Sequence, residues 1–295
     1  MFNKRHIVRT IAATVSILAL SFTAACGSGQ STASNSTDSD DITQQTYKPG
    51  KLTIATGQPA YEPWVMNDKP ESGEGYEAAV AYAVADKLGF KKSDVVWTRT
   101  AFDTAIAPGA KDWDFNIQQF GITDERKKAV DFSSSYYNDS QSVVVKKDSK
   151  FANATKVSDL KDATVGVMVG TLAYDYAKAN IKDDIQTFND DAALAQALDA
   201  GQIDALVTST VECVYMVQSE QVKDAKVLGR LPDSEDKSGM GIVLPKDSKL
   251  TAAVTKAVDD LNADGTIKKL QDKWLAEYTT DLTELKKYLP YYLTH

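Results

Sequence analysis

Apolar positions recur along this chain at two periods, and the switches between them mark its elements. Residues 51–56 alternate apolar and polar and are rich in β-branched types, which predicts a strand. Residues 58–67 hold Pro59, Tyr61, Pro63 and Trp64 and predict a loop. After Gly75, the residues Tyr76, Val80, Val84 and Leu88 return every four positions, an amphipathic helix that ends at Gly89. Residues 95–98 predict a second strand, 102–106 a short helix and 114–118 a third strand. Three consecutive valines within 142–146 predict a buried strand, and 164–169 predict another. Gly170-Thr171 then opens a helix to about Asn180. Asn189 is the expected N-cap of the next helix, with Asp190 and Asp191 in its first turn, where the helix dipole favours anions. That helix carries Leu194 and Leu198 on one face and stops at Gly201. Residues 203–207 and 242–244 predict strands. Ser248 is the expected cap of a helix bearing Leu250, Val254, Val258 and Leu261. Gly265 interrupts it, and Ile267, Leu270, Trp274 and Tyr278 continue on a second helix. Strands alternating with helices predict an α/β fold with mainly parallel sheets. In such sheets ligands sit at the carboxyl ends of strands, against helix N-termini.

The first 49 residues follow neither period. Lys4, Arg5 and Arg9 precede a greasy run over 11–25, which has the length of a signal-peptide apolar region and is too short to span a bilayer comfortably. Ala24 and Ala25 precede Cys26, and Thr23-Ala24-Ala25-Cys26 resembles a bacterial lipoprotein box, with Thr23 where Leu is more usual. The resemblance implies that residues 1–25 are a removed lipoprotein signal peptide and that the Cys26 sulfur carries a lipid. A plain secretory signal with an incidental cysteine is the alternative. Residues 26–49 are mostly Ser, Thr, Gln, Gly and Asp, cannot bury enough surface to offset their ordering entropy, and read as a flexible tether.

Charge and chemistry narrow the function. The formal net charge is −8, and removing residues 1–25 takes away three cations and makes it −11. An acidic surface argues against nucleic acid and against adhesion to anionic lipid. The chain has two cysteines, and with Cys26 acylated Cys213 lacks a disulfide partner, so it reads as a small buried hydrophobe. The two histidines are His6 and His295, one in the signal and one at the last position. Ser–His or Cys–His nucleophiles and His/Cys zinc sites are thereby excluded from the body. No Walker glycine loop, clean GxGxxG or calcium-loop spacing occurs, so no cofactor or metal is expected.

The most specific stretch is GITDERKKAVDFSSSYY, residues 121–137. It resembles the signature of the extracellular solute-binding proteins of polar amino-acid ABC transporters. Three further stretches agree in order and spacing. Residues 52–64 with the helix over 75–88 resemble the first strand, aromatic loop and helix of that family. Residues 165–171, VGVMVGT, resemble its second-lobe strand, and Gly265-Thr266-Ile267-Lys268-Lys269 with Asp272-Lys273-Trp274 resembles its closing helix. The resemblance covers residues 50–278. It implies a two-lobed periplasmic-binding-protein-like fold, two mainly parallel sheets with flanking helices joined by two crossover strands near 142–147 and 239–245. Lobe 1 is then 50–141 with 240–295, and lobe 2 is 142–239.

The same resemblance assigns roles. Arg126 matches the arginine that grips a ligand carboxylate, a role that suits the planar, permanently charged guanidinium fork. The Gly121 N–H also donates to that carboxylate, and the Gln119 carbonyl accepts from the ligand ammonium. Thr171, at a helix N-terminus, meets the carboxylate from the second lobe. Tyr61 and Trp64 match the aromatic wall, with Glu62 and Gln58 beside them tuning side-chain preference. Trp274 reads as core. One departure stands out. Relatives carry an Asp, which pairs with the ligand ammonium, where this chain has Ser209, and Glu212 three residues on is the candidate substitute. The function implied is solute capture for an ABC importer. The partners implied are a small carboxylate-bearing ligand, a permease and, through Cys26, the extracytoplasmic membrane surface, with the protein a monomer. Two alternatives stay open: a dehydratase-like enzyme using Glu62, Glu212 or Asp103 as acid or base, and a ligand-sensing receptor subunit.

Overall fold

The computed structural model describes residues 41–279 and 282–287. The expected signal peptide, Cys26 and residues 26–40 of the tether lie outside the described residues. In chain order the elements are β1 (Leu52–Thr56), α1 (Tyr76–Lys87), β2 (Val95–Arg99), α2 (Phe102–Ile106), β3 (Phe115–Asn116), β4 (Val130–Tyr137), β5 (Gln141–Lys146), β6 (Val165–Met168), α3 (Leu172–Asn180), β7 (Gln186–Phe188), α4 (Asp191–Asp199), β8 (Ala205–Ser209), α5 (Thr210–Gln218), β9 (Ala225–Arg230), β10 (Met240–Pro245), α6 (Thr251–Ala263) and α7 (Thr266–Trp274).

They build two five-stranded sheets, ordered β2-β1-β3-β10-β4 and β7-β6-β8-β5-β9. Both sheets are mixed rather than mainly parallel. In the first, β1 runs parallel to β2 and β3, while β10 is antiparallel to β3 and β4. In the second, β6 runs parallel to β7 and β8, while β5 is antiparallel to β8 and β9. The antiparallel pairs arise where the chain changes sheet. It leaves the first sheet after β4 over residues 138–140 and returns over 231–239. The two stretches expected as crossovers are therefore β5 and β10 themselves, each an inner strand of one sheet. The chain also crosses again near its end. Glu284 pairs with Arg230 and Lys286 with Lys156, and Leu285 is buried in the core of the second sheet, so this part of 240–295 packs on lobe 2.

Alternation along β5 explains how the second sheet is filled. Val143 and Val145 face a core with Val165, Val167 and α3, whereas Val144 faces the opposite core with Leu194, Leu198, Cys213 and Met216. Each fully buried valine or leucine contributes about 1.5–3 kcal/mol relative to exposure. In the first sheet, Leu52, Ile54, Phe115 and Ile242 pack against Val80 and Val84 of α1 and Val254, Val258 and Leu261 of α6. Cys213 is a fully buried free thiol, as its apolar context predicts, and Trp274 packs on the first core.

Several local expectations change. Residues 41–49 are not tether: Ile42 packs on the first core, Thr46 is buried, and the Tyr47 N–H donates to Asp114 at 2.6 Å. Asp190, not Asn189, caps α4, accepting from the Ala193 N–H at 2.8 Å. Helix α6 has no side-chain cap, because Ser248 accepts from Leu250 in the turn before it. Among the described residues no helix is long and apolar enough to cross a membrane.

Candidate functional site

Strand ends of both sheets and the starts of their helices line one cleft. Thr56 ends β1, Met168 lies at the end of β6, and Thr208 and Ser209 end β8, so the cleft occupies the place the α/β architecture favours. Of the residues singled out in the sequence, Tyr61, Gln119, Gly121, Arg126, Thr171, Ser209 and Glu212 line it. Trp64, Glu62 and Gln58 do not.

Arg126 is clamped in place. Its Nη1 donates to the Gly121 carbonyl at 2.7 Å and its Nη2 to the Gly170 carbonyl of the second lobe at 2.8 Å. The guanidinium carbon sits 5.4 Å from the centre of the Phe102 ring, which stacks on Phe120. Burial lowers its pKa, and Asp175 and Asp236 oppose that shift. A guanidinium has five N–H donors, so these two carbonyls do not saturate the fork. Gly121 is a close approach between lobes: a Cβ there would lie 2.6 Å from Leu172 Cδ1 and 2.8 Å from Asp236 Oδ2. Thr171 caps α3, its hydroxyl accepting from the Tyr174 N–H at 3.2 Å and donating to the Met168 carbonyl at 2.8 Å.

The loop over 57–68 is held by Arg99, which donates to the Gly57 carbonyl at 2.9 Å and pairs with Asp68. This loop brings Tyr61 into the cleft, where its hydroxyl accepts from the Ala192 N–H of α4 at 3.3 Å. Burial raises the Tyr61 pKa, with Asp190, Asp191 and Glu212 adding to the rise. Trp64, expected in the aromatic wall, is instead fully buried behind it, edge-on to Tyr137 at 5.5 Å. Its indole N–H still crosses between lobes, donating to Glu212 Oε1 at 3.0 Å. Glu62 accepts from the Tyr215 hydroxyl of α5 at 3.2 Å and from the Asn67 N–H at 2.9 Å, and Gln58 is exposed. Gln119, with φ of 51°, turns its amide onto the fully buried Glu77 rather than aiming it at a ligand. Burial pushes Glu77 up to about 7 even though Gln119 and Tyr136 donate to it.

The opposite wall is acidic. Ser209 caps α5, accepting from the Glu212 N–H at 3.3 Å. Glu212 is 4 % exposed, and burial beside Asp191 raises its pKa well above the usual range. Asp191 accepts from the Thr208 hydroxyl at 3.3 Å and is itself raised by burial. Asp139, from the 138–140 crossing, completes the group, and burial pushes it up to about 6. Asp139, Asp191, Asp236, Phe102 and Gln118 are cleft residues that the sequence reading missed. The Ser209-x-x-Glu212 spacing is a capping-box signal that marks the start of α5, which was also missed. Asp103, considered as a catalytic acid, is exposed and outside the cleft.

The family model for bacterial extracellular solute-binding proteins, family 3, matches residues 52–277. An L-arginine-binding protein of Pseudomonas aeruginosa is 29 % identical over 78 % of this chain and 88 % of its own length. The L-cystine-binding protein TcyJ of Escherichia coli is 30 % identical over 75 % of this chain and 81 % of its own. Among solved structures, an ancestral arginine-binding protein bound to arginine aligns with a TM-score of 0.65 at 31 % identity, covering 76 % of this chain and 98 % of that one. The ancestral amino acid-binding protein AncCDT-1, a precursor of cyclohexadienyl dehydratase, aligns with a TM-score of 0.63 at 30 % identity, covering 77 % and 95 %.

Proposed function

Because this chain belongs to family 3 of the bacterial extracellular solute-binding proteins, we propose that it captures an amino acid between its two lobes and delivers it to the permease of an ABC importer. The observation that carries this reading is the placement of Arg126, a half-buried guanidinium fork clamped by two carbonyls inside the inter-lobe cleft. The ligand carboxylate docks on that fork, beside Gly121 and the N-terminus of α3 at Thr171, where backbone N–H groups favour an anion. Tyr61 covers the ligand from the first lobe. The lobes close by bending at 138–140 and 231–239, and the Arg126–Gly170, Trp64–Glu212 and Tyr61–Ala192 hydrogen bonds join them in the closed form.

The protein works as a monomer held at the extracytoplasmic membrane surface by a lipid on Cys26. It is a binding protein rather than an enzyme, a reading that the binding-protein names of its relatives support. The names of relatives that bind arginine and cystine support an amino-acid ligand. A calorimetric panel of the common amino acids and cystine tests the reading. At least one should bind with a Kd near micromolar, about −8 kcal/mol. No binding across the panel removes it.

A further inference from the structure

The cleft carries more negative charge than an ordinary zwitterion balances. Its lining includes one guanidinium, Arg126, and four carboxylates, Asp139, Asp191, Glu212 and Asp236. Asp236 stands on the Arg126 side and, with Asp175, opposes the lowering of that guanidinium's pKa by burial. The other three remain without a cation, and among the described residues no group of acids is arranged to hold a metal ion.

Asp139 is the most telling of them. It is 8 % exposed, and its Oδ1 accepts from the Ser140 N–H at 2.7 Å. Its Oδ2 is buried and has no hydrogen-bond partner. Gln118 Oε1 and Asp236 Oδ2, in the same cleft, are further buried acceptors without a partner. Three desolvated acceptors lining one space call for donors; Asp236 is on the Arg126 side, and for the others an ammonium brings three N–H groups and the compensating charge. Asp139 also lies at the carboxylate end of the cleft. The Asp236 N–H donates to the Asp139 carbonyl at 2.9 Å, and Asp236 neighbours both Arg126 and Gly121. An ammonium on Asp139 would thus share one side of the cleft with a carboxylate on Arg126, as the two groups of an α-amino acid require. Ser209, Thr210 and Val211 lie near enough to Asp139 to favour its charged form, so the acid absent at 209 is replaced from the crossing segment beside it. The remaining pair, Asp191 and Glu212, stands against Tyr61, with Asp139 also in electrostatic reach of Glu212.

We propose that the cleft selects an amino acid with a positively charged side chain: its α-ammonium sits on Asp139, and its side-chain cation lies between Asp191 and Glu212 against Tyr61. This rests on the amino-acid capture proposed above. The competing arrangement is an Asp191–Glu212 pair that shares a proton and takes a neutral polar side chain.

Calorimetry with two pairs of near-equal size separates them: arginine against citrulline, and lysine against glutamine. In the better-bound pair the cationic member should bind about 10- to 100-fold more tightly, and Glu212→Gln should erase most of that gap. Asp139→Asn keeps the shape of the side chain. It should weaken that cationic amino acid by about tenfold or more while leaving its analogue without the α-ammonium, 5-guanidinopentanoate or 6-aminohexanoate, unchanged. A neutral or acidic amino acid binding most tightly overturns the inference but leaves solute capture standing. Equal weakening of the amino acid and its des-amino analogue by Asp139→Asn overturns the role of Asp139. No amino acid binding the wild-type chain removes capture and the inference together.

Discussion

The two walls of the cleft are made in different ways. The wall proposed to take the ligand carboxylate comes largely from one short run, residues 119–126, in which Gly121 supplies both a close approach and a carbonyl that holds Arg126. Its charge is fixed: a guanidinium stays protonated even when partly desolvated. The acidic wall draws Asp139, Asp191, Ser209 and Glu212 from a crossing segment, two helices and a strand end. Its charges are adjustable, because burial raises the affinity of all three carboxylates for protons, with Asp191 and Asp139 adding to the rise at Glu212. In the proposed binding mode a fixed charge sets the class of ligand, and adjustable ones set which member of the class is accepted and at what pH.

The contrast breaks most sharply at Arg126. Arg126→Ala should cost about 2–5 kcal/mol of binding, the range for truncating one partner of a buried charge pair. Calorimetry returning the wild-type affinity would mean that the walls do not divide the work this way. Gly121→Ala should follow, weakening binding by about 1–3 kcal/mol through overpacking. The added methyl meets Leu172 and Asp236 of the facing segments. The melting temperature of the free protein should move little, and a large drop would place the glycine's role in the fold rather than in closure.

Acidity sharpens the comparison next. Asp139 at about 6 and Glu77 at about 7 are both raised by burial, so the unliganded fold holds protons more tightly than the unfolded chain. Their contribution to stability is full below the ordinary carboxylate range and is lost as pH rises through 6 to 7. Groups with lowered values, such as Asp264 at about 2, stay ionised throughout and drop out of the change. The free protein should therefore melt higher at pH 5 than at pH 8. A cationic ligand competes with the proton on Asp139, with Asp191, Glu212 and Arg126 facing the same space. Its affinity should fall by about tenfold from pH 7 to pH 5. A flat profile would show that the acidic wall keeps one charge state. The smallest effect belongs to the cap of α3. Thr171→Ala should cost about 1 kcal/mol of stability, read by denaturant unfolding, with affinity reduced only modestly because the backbone donors remain.

What could be read in the sequence follows the same division. Arg126, Gly121 and Thr171 lie in contiguous motifs, so one stretch of chain states both residue and neighbours. The helices α1, α4 and α6 announce themselves through a regular apolar face. Asp139 sits in Asn138-Asp139-Ser140, which reads as a polar turn. Its burial follows only from how β4 and β5 join different sheets, a fact of long-range pairing. Trp64 failed as a wall residue because an aromatic loop does not say which ring turns inward; Tyr61 faces the cleft and Trp64 the core. The sheets were read as mainly parallel because alternating strands and helices imply crossover connections, whereas β5 and β10 enter straight from a change of sheet and run antiparallel.

The pairing of residues 284–286 with Arg230 and Lys156, and the burial of Leu285 under the second sheet, have a mechanical consequence. A joint with two adjacent straps can both fold and swivel. A further strap anchored elsewhere on the moving half lets it fold while resisting rotation about its length. Every docking event on the membrane machinery would then meet the shut form in the same pose.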